Sequence, residues 1–153
     1  MTQASVVRLA TPADEAELLK LCRLLHEENG LFPMEDDMVL ETIQKGINKT
    51  GGIIGVIGTP SSLEGMICME VGNFWYSRQP HLMELFNFVH PDHRRSNHAK
   101  ALIEFAKKCA GEDVRLVIGI ISNERTKAKI KLYERQLGPQ AGAFFVYPPR
   151  AVA

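Results

Sequence analysis

The sequence predicts an α/β fold: one domain over residues 1–153, with a mixed, mostly antiparallel sheet and helices on both faces. Two β-rich runs at 53–57 and 63–71, parted by the turn cluster Thr59-Pro60-Ser61-Ser62, read as an antiparallel hairpin. Later, a helical apolar pattern is followed by an almost unbroken apolar run at 115–121, as expected of a central strand covered on both faces. No repeat, low-complexity linker or shift of composition divides the chain.

The elements follow in order. Residues 5–9 form a short strand, and Thr11-Pro12 starts a helix, with a hydroxyl at the cap and proline where its missing N–H does no harm. Leu18, Leu21, Cys22 and Leu25 recur at helical spacing and form one buried stripe, which Gly30 ends. Asp36 and Asp37 open a second helix carrying Val39, Ile43 and Ile47, closed near Gly51-Gly52. After the hairpin, 83–89 is a strand stopped by Pro91-Asp92. Ala99, Leu102, Ile103, Ala106 and Ala110 mark a helix stopped by Gly111. Residues 124–136 make a charged helix with Ile130, Tyr133 and Leu137 on one side, and 143–147 closes the chain as a strand.

Composition excludes several function classes. Lys+Arg and Asp+Glu are both 18, and this zero balance argues against general nucleic-acid or membrane-surface binding. Cys22, Cys68 and Cys109 are odd in number and far apart, which fits neither a disulfide framework nor zinc spacing and suggests a reducing compartment. With no secretory apolar segment and no run near ~18 apolar residues, a cytoplasmic location is expected.

The chemically informative segment is Val89-His90-Pro91-Asp92-His93-Arg94-Arg95-Ser96-Asn97-His98-Ala99. A strand ends, proline blocks its continuation, and a small-residue turn opens into a helix. The free N–H groups and dipole of a helix start favour an anion, and Arg94, Arg95 and Lys100 add positive charge there. The residues alone fit a pyrophosphate site and a basic, solvated turn equally well.

This segment resembles the acyl-CoA pyrophosphate loop of GNAT acetyltransferases, V-x-P-x-x-R-x-x-G-x-G/A, with Val89, Pro91, Arg94 and Ala99 in register. Asn97 stands where the first glycine usually lies, and asparagine is the residue after glycine that most readily takes positive φ. Val7-Arg8-Leu9-Ala10-Thr11 with Asp14 is similar to the family's opening strand and helix. Leu132-Tyr133-Glu134-Arg135 with Gly138 resembles its L-Y-E-[KR]-x-G element, displaced by one residue. The resemblance covers most of the chain. It implies a single-domain acyl-CoA N-acyltransferase that uses acetyl-CoA as cosubstrate and an amine as acceptor, by direct attack in a ternary complex.

It further implies that Phe88 and Val89 bond the pantetheine arm through their backbone. The phosphates would sit against Arg94, Arg95, Ser96, Asn97, His98, Ala99 and Lys100. Thr126 stands where the family often places an asparagine near the pantetheine, and Asn123 lies close by. Tyr133 matches the tyrosine placed beside the CoA sulfur; a phenol with reference pKa near ~10 can protonate the departing thiolate. Packing on the sheet is the other reading of Tyr133.

The resemblance makes Glu84, on the strand leading into the loop, the candidate base, with Glu70 in reserve. Alternation puts Glu84, Phe86 and Phe88 on one face, where an apolar setting raises a carboxyl pKa. An edge salt bridge would look the same in sequence. His90, His93 and His98 lack a completing cysteine or carboxylate, so no metal is expected. Arg125, Lys127, Lys129, Lys131 and Arg135 suit a 3′-phosphate or a solvated face. The acids Glu27, Glu28, Glu35, Asp36 and Asp37 border the acceptor side, fitting a cationic amine or helix capping. Phe74, Trp75 and Tyr76 would wall the same cleft or cover a partner in a homodimer. A non-catalytic CoA-binding regulatory module is the alternative function.

Overall fold

The computed structural model describes residues 5–149. Strand β1 (Arg8–Leu9) leads through a short 3-10 turn into α1 (Glu15–Asn29) and α2 (Asp36–Asn48). Strands β2 (Gly52–Thr59), β3 (Ser62–Gly72) and β4 (His81–Val89) follow, then α3 (His98–Ala110), β5 (Arg115–Val117) and α4 (Thr126–Leu137). The sheet order is β1-β2-β3-β4-β5; the first four strands are antiparallel neighbours, and β5 runs parallel to β4. Among the described residues, no helix is long and apolar enough to cross a membrane.

Two cores sandwich the sheet. On one face Leu18, Leu21 and Cys22 of α1 and Ile43 of α2 meet Ile54, Val56, Met66, Cys68 and Phe88. The predicted stripe of α1 thus reaches the core, because residues three and four apart share one side of a helix. α2 lies close to β2 at Gly46, where a Cβ would overlap the Ile54 side chain. On the other face Leu102 and Ala106 of α3 cover Ile57, Ile67, Met69 and Leu82.

The entry to α1 is locked by a bidentate pair. Both terminal nitrogens of Arg8 donate to the Asp14 carboxylate at 2.8 Å, and the Thr11 N–H donates to the same carboxylate at 2.8 Å. Arg8 also reaches Gly58 O, tying the N-terminal turn to β2. These hydrogen bonds from Arg8, then that from Thr11, hold the Asp14 carboxyl below its ordinary value against the opposing effect of burial. Asp14 is fully buried, but Arg8 keeps a third of its side chain in water, which screens the pair. We expect Asp14→Asn to cost about 1–3 kcal/mol in urea unfolding at pH 7. A depressed carboxyl stabilises above its unfolded pKa and loses that contribution as pH falls, so the gap to wild type should close below about pH 4. An equal gap at pH 3 and pH 7 would show that the charge is not the cause.

Four expectations are corrected. The 115–121 run is not a central strand: only Arg115–Val117 pairs, at the sheet edge, and Ile121 is exposed. The run's apolar character does not translate into burial, since every residue of 115–121 keeps part of its surface in water. Residues 143–147 form no strand, and Phe144, Phe145 and Tyr147 are exposed; no partner strand lies beside them among the described residues. α2 ends before the glycines, at Lys49 in the left-handed conformation (φ 56°).

The fourth correction moves the proposed base. Cys68 pairs with Phe86 but Met69 pairs with Glu84, so Leu85 is an extra residue in β4. Such a bulge reverses the alternation downstream. Phe86 and Phe88 therefore face α1 and α2, whereas Glu84 shares the opposite face with its partner Met69, Leu82, Asn87 and Val89.

Candidate active site

β4 and β5 pair only from His81–Arg115 to Met83–Val117, and beyond that point they part. The outer edge of β4 from Glu84 to Val89 is left without a neighbouring strand, which opens a slot between β4 and the segment after β5. Glu84 sits at the apex of the slot, where it accepts a hydrogen bond from the Gly119 backbone N–H. Burial raises its carboxyl to about 8, and the Gly119 bond only partly offsets that.

Tyr133 reaches the slot from α4, and its hydroxyl accepts a hydrogen bond from Asn87 Nδ2 at 3.1 Å. Burial first, and then the nearby Glu84 charge, push the phenol well above its ordinary value. The bulge is what lines up Glu84, Asn87 and Tyr133. Without the extra residue Glu84 would face α1.

At the far end of β4 the turn at 90–97 opens α3. Pro91–His93 is a 3-10 turn, Ser96 Oγ donates to His93 O at 2.5 Å, and the His98 N–H donates to Ser96 Oγ at 3.2 Å. Asn97 is the cap of α3 with φ −91° and ψ 15°, so the expected positive φ is absent and the position does not call for glycine. Ala99 and Lys100 lie in the first helical turn, whose N–H groups have no intrahelical acceptor. Arg95, Asn97 and Lys100 are exposed, and among the described residues Arg95 and Lys100 make no ion pair.

The other charged members of the turn are engaged within the protein. Arg94 pairs with Glu28 of α1, donates through Nε to Val89 O at 3.2 Å, and lies over the Phe88 ring at 5.3 Å. His98 is buried, with Nδ1 2.7 Å from Ser5 Oγ and Nε2 3.4 Å from Glu64. Thr126 spends its hydroxyl on Ser122 O, and Lys129 Nζ donates to Ser122 Oγ at 2.8 Å. Desolvation lowers the Lys129 pKa. Asn123 binds the end of α1 through Asn29 Oδ1 and Glu28 O, so α1 holds both the phosphate-type turn and the approach to α4.

On the α1–α2 side of β4 lies a second opening, a cleft of about 480 Å³ lined by Cys22, Leu25, Met34, Met38, Leu85 and Phe86 among others. Glu35 is its one acid; Glu28 is paired with Arg94, and Asp36 with Arg23 at 2.6 Å. Of the five acids read from sequence, two are thus paired within the protein, and Glu35 alone lines the cleft. The aromatic trio does not line this cleft: Trp75 is 94% exposed, and Phe74 stacks on His81.

No protein-family model matches the sequence, and no curated protein does. Solved structures match over most of its length. The ribosomal-protein-alanine N-acetyltransferase of Brucella melitensis biovar Abortus 2308 superposes with TM-score 0.68 at 21% identity, covering 97% of this chain and 99% of its own. AAC(6')-Iy, in complex with the bisubstrate analogue CoA-S-monomethyl-acetylneamine, gives TM-score 0.72 at 15% identity over 97% and 100%. Arabidopsis thaliana NAA60, in complex with a bisubstrate analogue, gives 0.67 at 19% over 88% and 83%. The chain has the GNAT acetyltransferase fold.

In this GNAT fold the slot, the turn at the head of α3 and the Tyr133 hydroxyl lie along one strand, β4 and its continuation. Sequence reasoning missed Asn87 and Gly119, and it set Glu28 on the acceptor side rather than against Arg94. Glu28 and Arg94 are 66 positions apart and only folding pairs them. Asn87 carried a usable signal, a polar residue in an apolar strand directly before the loop.

Proposed function

We propose that the chain is an acetyl-CoA-dependent N-acetyltransferase acting on a primary amine by direct attack in a ternary complex. The observation that carries this reading is the unpaired edge of β4, running from Glu84 and Tyr133 to the basic turn at the head of α3. An extended pantetheine arm needs backbone partners, and the unpaired edge of β4 leading to Phe88 and Val89 offers them as a missing strand would, although the Val89 carbonyl already accepts from Arg94 Nε. A pyrophosphate needs N–H donors and positive charge; the first turn of α3 with Arg95 and Lys100 supplies both. The groups present fit the cosubstrate. Arg94 acts from behind, fixing the turn through Glu28 and Val89 O.

In the transfer the acceptor nitrogen forms a bond to the acyl carbon while the carbon–sulfur bond breaks. Glu84 in its ionised form takes the proton that the attacking amine loses. Tyr133 gives its proton to the departing thiolate, a role suited to a phenol held neutral by burial. A thiol intermediate is disfavoured: Cys22 lines the cleft on the α1–α2 side of β4, yet burial pushes its thiol up to about 12, the opposite of an activated nucleophile. The apolar lining of that cleft favours an amine with a hydrophobic substituent.

Acetyl-CoA should raise the melting temperature, with free CoA giving part of the shift. Reversing Arg95 or Lys100 to Glu should each weaken binding about fivefold (~1 kcal/mol), more at low salt. Thiol release with a panel of apolar primary amines then separates an enzyme from a CoA-binding regulatory module, which would bind and not turn over. No shift at millimolar acetyl-CoA would remove the proposal.

A further inference from the structure

The turn that opens α3 carries a second constellation, and it uses none of the groups that handle the acyl chemistry. Glu64 of β3, His93 of the turn and His98 of α3 bring one ligating atom each to within 4.8 Å of one another. His93 Nδ1 is 2.7 Å and His98 Nε2 3.4 Å from the same Glu64 oxygen, Oε1. We propose that Glu64, His93 and His98 form a binding site for a divalent transition-metal ion of the zinc type. This does not rest on the acyltransferase reading.

Four observations support it. Ligand atoms ~2.0–2.1 Å from a tetrahedral zinc lie ~3.3 Å from one another, so the His98–Glu64 spacing already fits and His93 must withdraw by about half an ångström. Two imidazoles and one carboxylate are a zinc-type donor set rather than a magnesium or calcium one. His98 has the outer hydrogen bond that a ligating histidine needs: its Nδ1 lies 2.7 Å from Ser5 Oγ, and an Nδ1 hydrogen donated there leaves Nε2 free for the ion.

The fourth observation is preorganisation. The His90 N–H donates to Glu64 O at 2.8 Å, the His93 and His98 rings lie nearly parallel with centroids 6.1 Å apart, and His98 is buried. Glu64 and His93 keep about a third of their side chains in water, which leaves an entry path and room for a water as fourth ligand. Sequence could not complete the group, because the missing carboxylate lies on a strand far from the histidines. Its expectation that no carboxylate joins them is corrected here.

An ion there would clip the 90–98 turn to β3 and stiffen the start of α3. In the test, the full chain is stripped with chelator and titrated with Zn²⁺ by calorimetry, and with Co²⁺ by visible absorption. One equivalent should bind with Kd on the order of 1 μM or tighter, with a tetrahedral Co²⁺ spectrum and a raised melting temperature. His93→Gln and Glu64→Gln should each weaken binding by more than ~100-fold, and Ser5→Ala by about tenfold, as expected for an outer-shell group. His93 is partly exposed, so its variant should fold normally, and the melting curve of the metal-free form checks this. His90→Gln should bind like wild type. Absence of stoichiometric binding would overturn the proposal. So would binding that survives both His93→Gln and Glu64→Gln, or that His90→Gln weakens equally.

Discussion

Tyr133→Phe is expected to lower turnover by roughly 10²–10⁴-fold while acetyl-CoA affinity stays within about twofold, the pattern for loss of a general acid. The geometry sharpens this expectation. Asn87 Nδ2 donates to the Tyr133 oxygen, so the phenolic hydrogen is not engaged by Asn87 and can be directed into the slot. Burial and the Glu84 charge keep the phenol protonated at any working pH. The Phe variant strands the Asn87 donor, at a cost of about 1 kcal/mol, because Asn87 is only partly buried. Steady-state kinetics on a verified amine acceptor, paired with calorimetric CoA affinity, decide the matter. Near-normal turnover would reduce Tyr133 to a packing residue, and a large affinity loss would make its hydroxyl an anchor for the ligand.

Glu84→Gln should produce a loss of similar size, about 10²–10⁴-fold at pH 8, with a distinct pH signature. With its carboxyl raised to about 8, only about a tenth of Glu84 is ionised at pH 7. Wild-type kcat/KM should therefore climb about tenfold per unit at low pH and level off above pH 8, and the Gln variant should lose that limb. The stability consequence has a definite sign. Folding raises this pKa, so the protonated form is favoured in the fold, and the contribution is fully present below the unfolded value of 4.5. It is lost as pH rises through about 8. Wild type should lose melting temperature between about pH 5 and pH 8, and Glu84→Gln should lose less. A kcat/KM limb centred near pH 8 that persists in the Gln variant would assign it to another group or to the acceptor amine itself.

Glu84 also shows how far sequence reasoning reached. Its candidacy as a base came from its place on the strand before the loop, and that place is where β4 stands. Its face was misjudged, because strict alternation assumes a regular strand and Leu85 adds one residue. A bulge has no reliable local signature; it is fixed by the register of β3 against β4. Tyr133 was singled out through the Leu132-Tyr133-Glu134-Arg135 element, but its partner Asn87 is 46 positions away and emerges only when α4 lies over the slot. Arg94 shows the same limit. Its position in the motif suggested a phosphate ligand, and the fold gives its guanidinium to Glu28.

Local physics in the chain determined the α1 stripe, the β2–β3 hairpin, the proline stop after β4 and the start of α3, since each depends on residues within a few positions of one another. Periodicity, turn chemistry and capping act over that range, and so they can be read from the order of residues. Tertiary structure alone decided where β5 leaves β4, which face Glu84 takes, what Arg94 and Glu28 do for each other, and that Glu64 joins His93 and His98. Each of these is a meeting of segments distant in sequence. Such a meeting is selected by the packing of the whole sheet against both helical layers, a free energy that no single segment carries.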